Sequence, residues 1–234
     1  MRLKMCGRAY ETYTDEELEM RYLSKTVRLP LLRDLKPNYN MAPTQTSPIV
    51  LIRDNKKTIE LFRWGLVPQW AKDIKSAAKY SLINARGEEI TEKRTYKTPF
   101  KKRRCIIPLS GFYEWKRTKD KKRPFAISLK DQNILSVAGV WEHWESKDDG
   151  EVVDSFSIIT TSANSLMESI HDRIPVILKD QDIDQWLDPE NENIESLQKL
   201  LKPCAAGKMV AVAVEVSTMV NSVRNNTRDL LNPI

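Results

Sequence analysis

The sequence predicts a single α+β domain, and three observations carry that expectation. Strand-like apolar segments are mixed with scattered helical ones, without the regular strand-helix alternation of a doubly wound sheet. The 234 residues are 41% hydrophobic, enough to bury a sizeable core. No repeat, low-complexity tract or Gly/Ser-rich linker divides the chain, which holds only seven glycines, so one domain over 1–234 is expected.

The elements follow in order. Thr14 and Glu17 have capping-box spacing, which predicts a helix over 14–23. Residues 47–53 (SPIVLIR) and 58–63 (TIELFR) flank Asp54-Asn55-Lys56-Lys57 and read as a hairpin; 123–129 (RPFAISL) and 133–140 (NILSVAGV) read as another around Asp131-Gln132. Residues 154–161 (DSFSIITT) form a strand leading into a short helix within 162–175, which must stop before Pro175 because the residue preceding a proline disfavours helical geometry. Acidic-faced helices are expected within 181–187 and 194–201, and 208–216 (KMVAVAVEV) reads as a late buried strand.

The net charge is 38 minus 32, or +6, and it is segregated. Residues 93–104 carry seven basic side chains and no acid; 116–123 carry six against Asp120 alone; from 180 to 195 the sign reverses. A charge run can be a solvated face and nothing more. Two of them bracketing the aromatic segment Gly111-Phe112-Tyr113-Glu114-Trp115 point instead to a polyanion, since cations on phosphates and flat rings for stacking are what a single strand requires. No run reaches the length of a membrane span and no secretory leader is visible, so a cytoplasmic, DNA-associated protein without a membrane partner is expected. Cys6, Cys105 and Cys204 are too few and too far apart for a disulfide framework or, with two histidines, a zinc site; no metal or cofactor is expected.

Among chemical candidates, Cys105 and Cys204 fit the common role of cysteine as a small buried hydrophobe. Cys6 differs: Gly7 permits a tight backbone path and Arg8 offers a cation that favours thiolate. His171 stands beside Asp172 and Arg173, where it could cap a helix end or exchange protons; His143, between tryptophans, reads as packed or surface. Glu114 is the only acid in an apolar segment, and burial would suit it to proton transfer, although a plain strand residue fits the same pattern. Asn84-Ala85-Arg86 reads as an ordinary loop carrying Asn and Arg.

Taken in order, Met5-Cys6-Gly7-Arg8, Tyr39-Asn40-Met41-Ala42-Pro43, WGLVPQW (64–70), INAR (83–86), GFYEW (111–115), IHDRIP (170–175) and VSTMVNSVRNN (216–226) resemble the SOS response-associated peptidase (SRAP) family, whose members shield abasic sites in DNA. The resemblance runs from Met5 to Ile234. It implies a curved, barrel-like mixed or antiparallel β core with peripheral helices. It also implies an abasic-site sensor acting on single-stranded DNA in the damage response, as a monomer and without a cofactor. In the family the initiator Met is removed, the cysteine becomes the first residue, and its α-amine and thiol close a thiazolidine on the ring-opened sugar aldehyde. Carried over residue by residue, Cys6 is the nucleophile, Glu114 the general acid/base, and Asn84 the holder of the amine and sugar oxygens. His171 orients the sugar hydroxyl and contributes to a strand-cleaving lyase side reaction. Arg8 and Arg86 would grip phosphates, Thr160 would bond the backbone, Trp70 and Trp115 would stack on bases, and Asn40 and Pro43 would shape the cleft.

The chain departs from that pattern in the four residues before Met5, which deny Cys6 a free amine. Translation from Met5, proteolytic removal of 1–5, or persistence as a binding-only protein would each resolve this. Two other readings stand beside the main one: a cysteine-type peptidase using Cys6, His171 and Glu114 on its own N-terminus or other proteins, and a non-catalytic single-strand binding module.

Overall fold

A computed structural model describes residues 7–24, 29–33, 35–119, 121–130, 132–206 and 214–234. In chain order the strands are β1 (Ala9–Glu11), β2 (Asn38–Met41), β3 (Thr46–Arg53), β4 (Lys56–Trp64), β5 (Asn84–Arg86), β6 (Arg104–Leu109), β7 (Gly111–Arg117), β8 (Lys122–Ile127), β9 (Leu135–Glu145), β10 (Val152–Ser162), β11 (Arg173–Pro175) and β12 (Val214–Glu215). The α-helices are α1 (Asp15–Leu23), α2 (Ile74–Ala78), α3 (Arg94–Lys102), α4 (Ile183–Leu187) and α5 (Ile194–Lys199).

Five strands close on themselves. In the order β10-β4-β3-β6-β9 each is paired to the next, and β9 returns to β10, so the expected barrel is present. Beyond its barrel pairings, β10 carries β5 in parallel on one side and β11 antiparallel on the other. A second sheet, β12-β8-β7-β1-β2, lies against the barrel.

Strand periodicity sorts the core into two layers. Leu51, Phe62, Ile107, Val137 and Phe156 form one cluster with Ala9, Met41 and Phe112 of the second sheet. Residues of opposite parity, including Val50, Ile106, Ala138 and Ile159, pack against Leu18 and Tyr22 of α1, Phe100 of α3 and Trp186 of α4. The helices therefore cover one face of the barrel wall while the second sheet is packed through the other. At Gly139 in β9 a Cβ would sit 2.1 Å from Ile107 Cδ1 and 3.0 Å from the Ser157 carbonyl, so this wall admits no side chain there.

Several expectations hold. Thr14 and Glu17 make the reciprocal capping box of α1. The β3–β4 hairpin pairs from Thr46↔Arg63 to Arg53↔Lys56 about Asp54 and Asn55, both at positive φ (50° and 58°), the geometry of a tight two-residue hairpin turn. The acidic helices appear as α4 and α5.

Others are corrected. Residues 123–129 and 133–140 do not form a hairpin: β8 pairs with β7 and β12, whereas β9 pairs with β6 and β10 in the barrel. Leu135 to Val140 is buried throughout, which suits a strand with neighbours on both edges. The helix expected within 162–175 is only a 3-10 turn, Met167–Ser169, because Arg173–Pro175 is taken up as β11 on β10. The loop expected at Asn84-Ala85-Arg86 is β5. Of the late strand only Val214–Glu215 falls within the described residues as β12; residues 207–213 lie outside them.

Candidate functional site

Cys6 lies outside the described residues; the described chain begins at Gly7, to which it is bonded. Arg8 accepts a hydrogen bond from Tyr113 N–H on its carbonyl (2.9 Å), and Ala9 stands opposite Phe112. Continued by one step, that register brings Gly7 level with Glu114.

Glu114 is 3% exposed. Alternation along β7 puts it on the same face as Phe112, toward the cluster shared with the barrel, and puts Trp115 on the opposite face with Tyr113. The same cluster contains Ile170 and is packed by Ile83. His171 follows the first and Asn84 the second, so each of the three polar candidates neighbours a member of that cluster along its own strand or segment.

Asn84 is half-buried in β5, opposite Ile158, and its carbonyl accepts from the Tyr96 hydroxyl (3.1 Å). His171 is half-buried. Its Nδ1 accepts the Arg173 backbone N–H (3.1 Å) and lies 2.9 Å from Asp172 Oδ1. Those contacts exclude each other, since the first needs Nδ1 bare and the second needs it protonated. Burial lowers the His171 pKa, and the nearby Arg117 and Arg173 charges push the same way against Asp172.

The phosphate and base candidates fall into two groups. On the second sheet, Arg8 Nη1 donates to Asn40 Oδ1 (3.1 Å), and Asn40 Nδ2 donates to the Ser222 and Asn225 carbonyls (2.9 and 2.7 Å). Asn40 is 1% exposed, so it positions Arg8 and the C-terminal segment. Pro43 is half-buried in the turn after β2. Trp115 Nε1 donates to Asn221 Oδ1 (2.8 Å). On the barrel, Arg86 is exposed, with a 3.5 Å surface contact to Glu89. Thr160 is 1% exposed and its hydroxyl donates to the Ala85 carbonyl (3.3 Å), so it holds β5 to β10 and faces no solvent. Trp70 lies between β4 and β5, 44% exposed, edge-on to the 61% exposed Tyr80 at 5.5 Å between centroids.

Sequence reasoning missed Arg173, which makes two bonds to Glu88 (2.6 and 2.7 Å) and one to the Thr160 carbonyl (2.8 Å). It also missed Tyr80, and Asn221 as the partner of Trp115. Arg173 and Asn221 sit inside quoted motifs, which was the available signal. Cys105 is fully buried and burial pushes its thiol pKa well up, Cys204 packs half-buried against the cluster, and His143 is exposed, bonded to Asp154 (2.8 Å). Among the described residues there is no His/Cys/Asp/Glu group that could hold a metal, and no helix is long and apolar enough to cross a membrane.

A closed barrel backed by a second sheet, with a buried carboxyl on β7, defines a mixed α/β single-domain protein of a known architecture. The chain belongs to the SOS response associated peptidase (SRAP) family, which it matches over residues 5–223. It is 43% identical to the abasic site processing protein YoqW of Bacillus subtilis, covering 83% of this chain and 85% of that one. It is also 43% identical to YoaM of the same organism, covering 85% and 86%. A crystal structure of a protein from Bacteroides thetaiotaomicron superposes with a TM-score of 0.85 at 28% identity, over 98% of this chain and all of that one.

Proposed function

We propose that this protein captures abasic sites in single-stranded DNA as a covalent thiazolidine on Cys6. The observation that carries the reading is the 43% identity to abasic site processing proteins over more than four fifths of both chains. The burial of Glu114 on the strand paired with β1, the segment that leads back to Cys6, supports it.

The chemistry requires Cys6 at the N-terminus. A free α-amine has a pKa of about 7.7 to 8.0, against about 10.4 for lysine, so far more of it is neutral and nucleophilic at pH 7. The amine condenses with the ring-opened aldehyde and releases one water, giving an imine. The thiolate then adds to the imine carbon and closes the five-membered ring, with the proton returned to nitrogen. Glu114 relays protons for ring opening, imine formation and reversal, and Asn84 holds the amine and sugar oxygens. His171 orients the sugar hydroxyl. Lyase activity follows from the imine, which acidifies the adjacent carbon; loss of that proton expels the 3′-phosphate. Arg8 and Arg86 take phosphates flanking the lesion, and Trp70 and Trp115 take bases. Thr160 and Asn40 act by positioning Arg173, β5 and Arg8.

Intact mass spectrometry tests this. The chain beginning at Cys6 is expected to gain the mass of an abasic oligonucleotide less one water, and Cys6→Ala to gain nothing; a wild-type chain beginning at Cys6 that gains nothing would refute the reading. The family's description as a peptidase favours a second role, removal of 1–5 by the protein itself. Under that role Cys6→Ala, expressed from Met1, keeps residues 1–5 and the wild type does not.

A further inference from the structure

The two basic stretches are not equivalent once folded. In 93–104, Lys93 pairs with Glu89 (3.2 Å), Lys102 with Glu192 and Arg103 with Glu142 (2.9 Å), while Arg104 is buried. Four of that run's seven cations are thus occupied within the fold. The second stretch lies on the β7–β8 hairpin, closed by Thr118 N–H on the Lys121 carbonyl (2.9 Å). Its register sets Lys116 opposite Arg123 and Arg117 opposite Lys122. Like charges directly opposite each other destabilise a hairpin. Glu215 answers Arg123, but among the described residues Arg117 and Lys122 make no salt bridge. The pair shares the face of β7 that carries Trp115.

We propose that this Arg117–Lys122 face is a phosphate track for the DNA strand as it leaves the site past Trp115. The inference rests on the abasic-site reading and extends it to a longer footprint. Arg117 follows Trp115 by two residues, about 7 Å along the strand. An aromatic ring followed by cations on one face is the arrangement that holds a single strand, the base stacked and the backbone neutralised. A phosphate over the pair also converts the Arg117–Lys122 repulsion into a shared attraction. The turn end of the hairpin acts on His171 electrostatically, since the Arg117 charge opposes its protonation.

The test uses single strands carrying a tetrahydrofuran abasic analogue, which has no aldehyde, so that only non-covalent binding is read. One strand ends just past the lesion; two others are extended by several nucleotides on one side or the other. The wild type is expected to gain affinity from extension on one side only. Lys122→Glu is expected to abolish that gain and to reduce the salt slope for the extended strand by at least about 0.7, the release from one single-strand phosphate. Because the substitution puts a carboxylate opposite Arg117, its melting temperature should equal or exceed that of the wild type, which a merely structural role for Lys122 would not give. An unchanged extension gain and salt slope in Lys122→Glu would overturn the proposal, and would leave an acidic protein as the partner of this face. Failure of the abasic-site reading is separable, because it appears as a wild type that forms no adduct with an aldehyde-bearing strand of any length.

Discussion

At the scale of single residues, Arg104 shows how far a side chain's role can lie from its sequence neighbourhood. In the sequence it ends a basic run. In the structure it is 3% exposed, and its five N–H groups meet five backbone carbonyls: Phe100 and Lys101 at the end of α3, Trp186 and Asp188 at the end of α4, and Asn191. A planar cation at two helix C-termini satisfies orphan carbonyls and opposes both dipoles. Lysine has three donors and no fork, so Arg104→Lys must leave at least two of these carbonyls unmet. A loss of roughly 2–4 kcal/mol is expected in urea unfolding; a change under about 0.5 kcal/mol would mean that water replaces the guanidinium without cost. Composition could flag Glu114 and Cys105 as buried, because their surroundings are apolar. It could not flag Arg104, Thr160 or Asn40, whose burial depends on carbonyls and partners brought from up to 185 residues away.

At the scale of elements, what the sequence revealed was what short-range chemistry controls. The α1 capping box and the β3–β4 hairpin are complete within a few residues and both form, the connection expected over 54–57 tightening to Asp54-Asn55 with Lys56 and Lys57 paired in β4. The expected β8–β9 pairing fails because two apolar strands adjacent in sequence go to different sheets, and the expected helix before Pro175 fails because Arg173–Pro175 is taken up as β11 on β10. Residues 94–102 were read only as charge, although α3 forms there with Tyr96 and Phe100 on its buried face. The strand bearing Glu114 depends on a close approach at its first residue. A Cβ on Gly111 would lie 2.1 Å from Tyr10 Oη and 2.4 Å from the Ile127 carbonyl, so the Tyr10 ring and the β8 backbone would have to move. Gly111→Ala is expected to cost more than about 3 kcal/mol, and to reduce adduct yield beyond what unfolding explains, because β1 positions the segment next to Cys6. Comparing adduct yield at matched folded fraction separates the two effects; equal yield would show that β1 and β7 need not be in register for the reaction.

At the scale of the whole molecule, the barrel and the second sheet are joined through a buried acid. Glu11 in β1 is 5% exposed and accepts a hydrogen bond from Ser47 Oγ in β3, so the contact crosses from one sheet to the other. Burial raises its pKa to about 8, with the Ser47 bond opposing only part of the shift. Between the ordinary carboxyl range near 4.5 and about 8, the folded chain keeps a proton that the unfolded chain has released. Stability contributed by this group is therefore present in full below about 4.5 and is lost as pH rises toward 8, at up to roughly 1.4 kcal/mol per pH unit. His171 acts in the opposite direction: its lowered pKa means that the unfolded chain takes up a proton first as pH falls through its ordinary value of about 6.5. Urea midpoints measured from pH 5 to pH 8 should show a Glu11→Gln variant losing the decline toward alkaline pH, because glutamine keeps a neutral group beside Ser47 across the range. A variant that retained the wild-type slope would show that Glu11 ionises normally in the fold and that the junction between the sheets is wet. Under the proposed function this has a consequence, since capture through an α-amine would require its neutral form, favoured by rising pH over the interval in which Glu11 comes under strain. Adduct formation by Glu11→Gln should therefore persist to higher pH at elevated temperature than adduct formation by the wild type, with the two indistinguishable near pH 6.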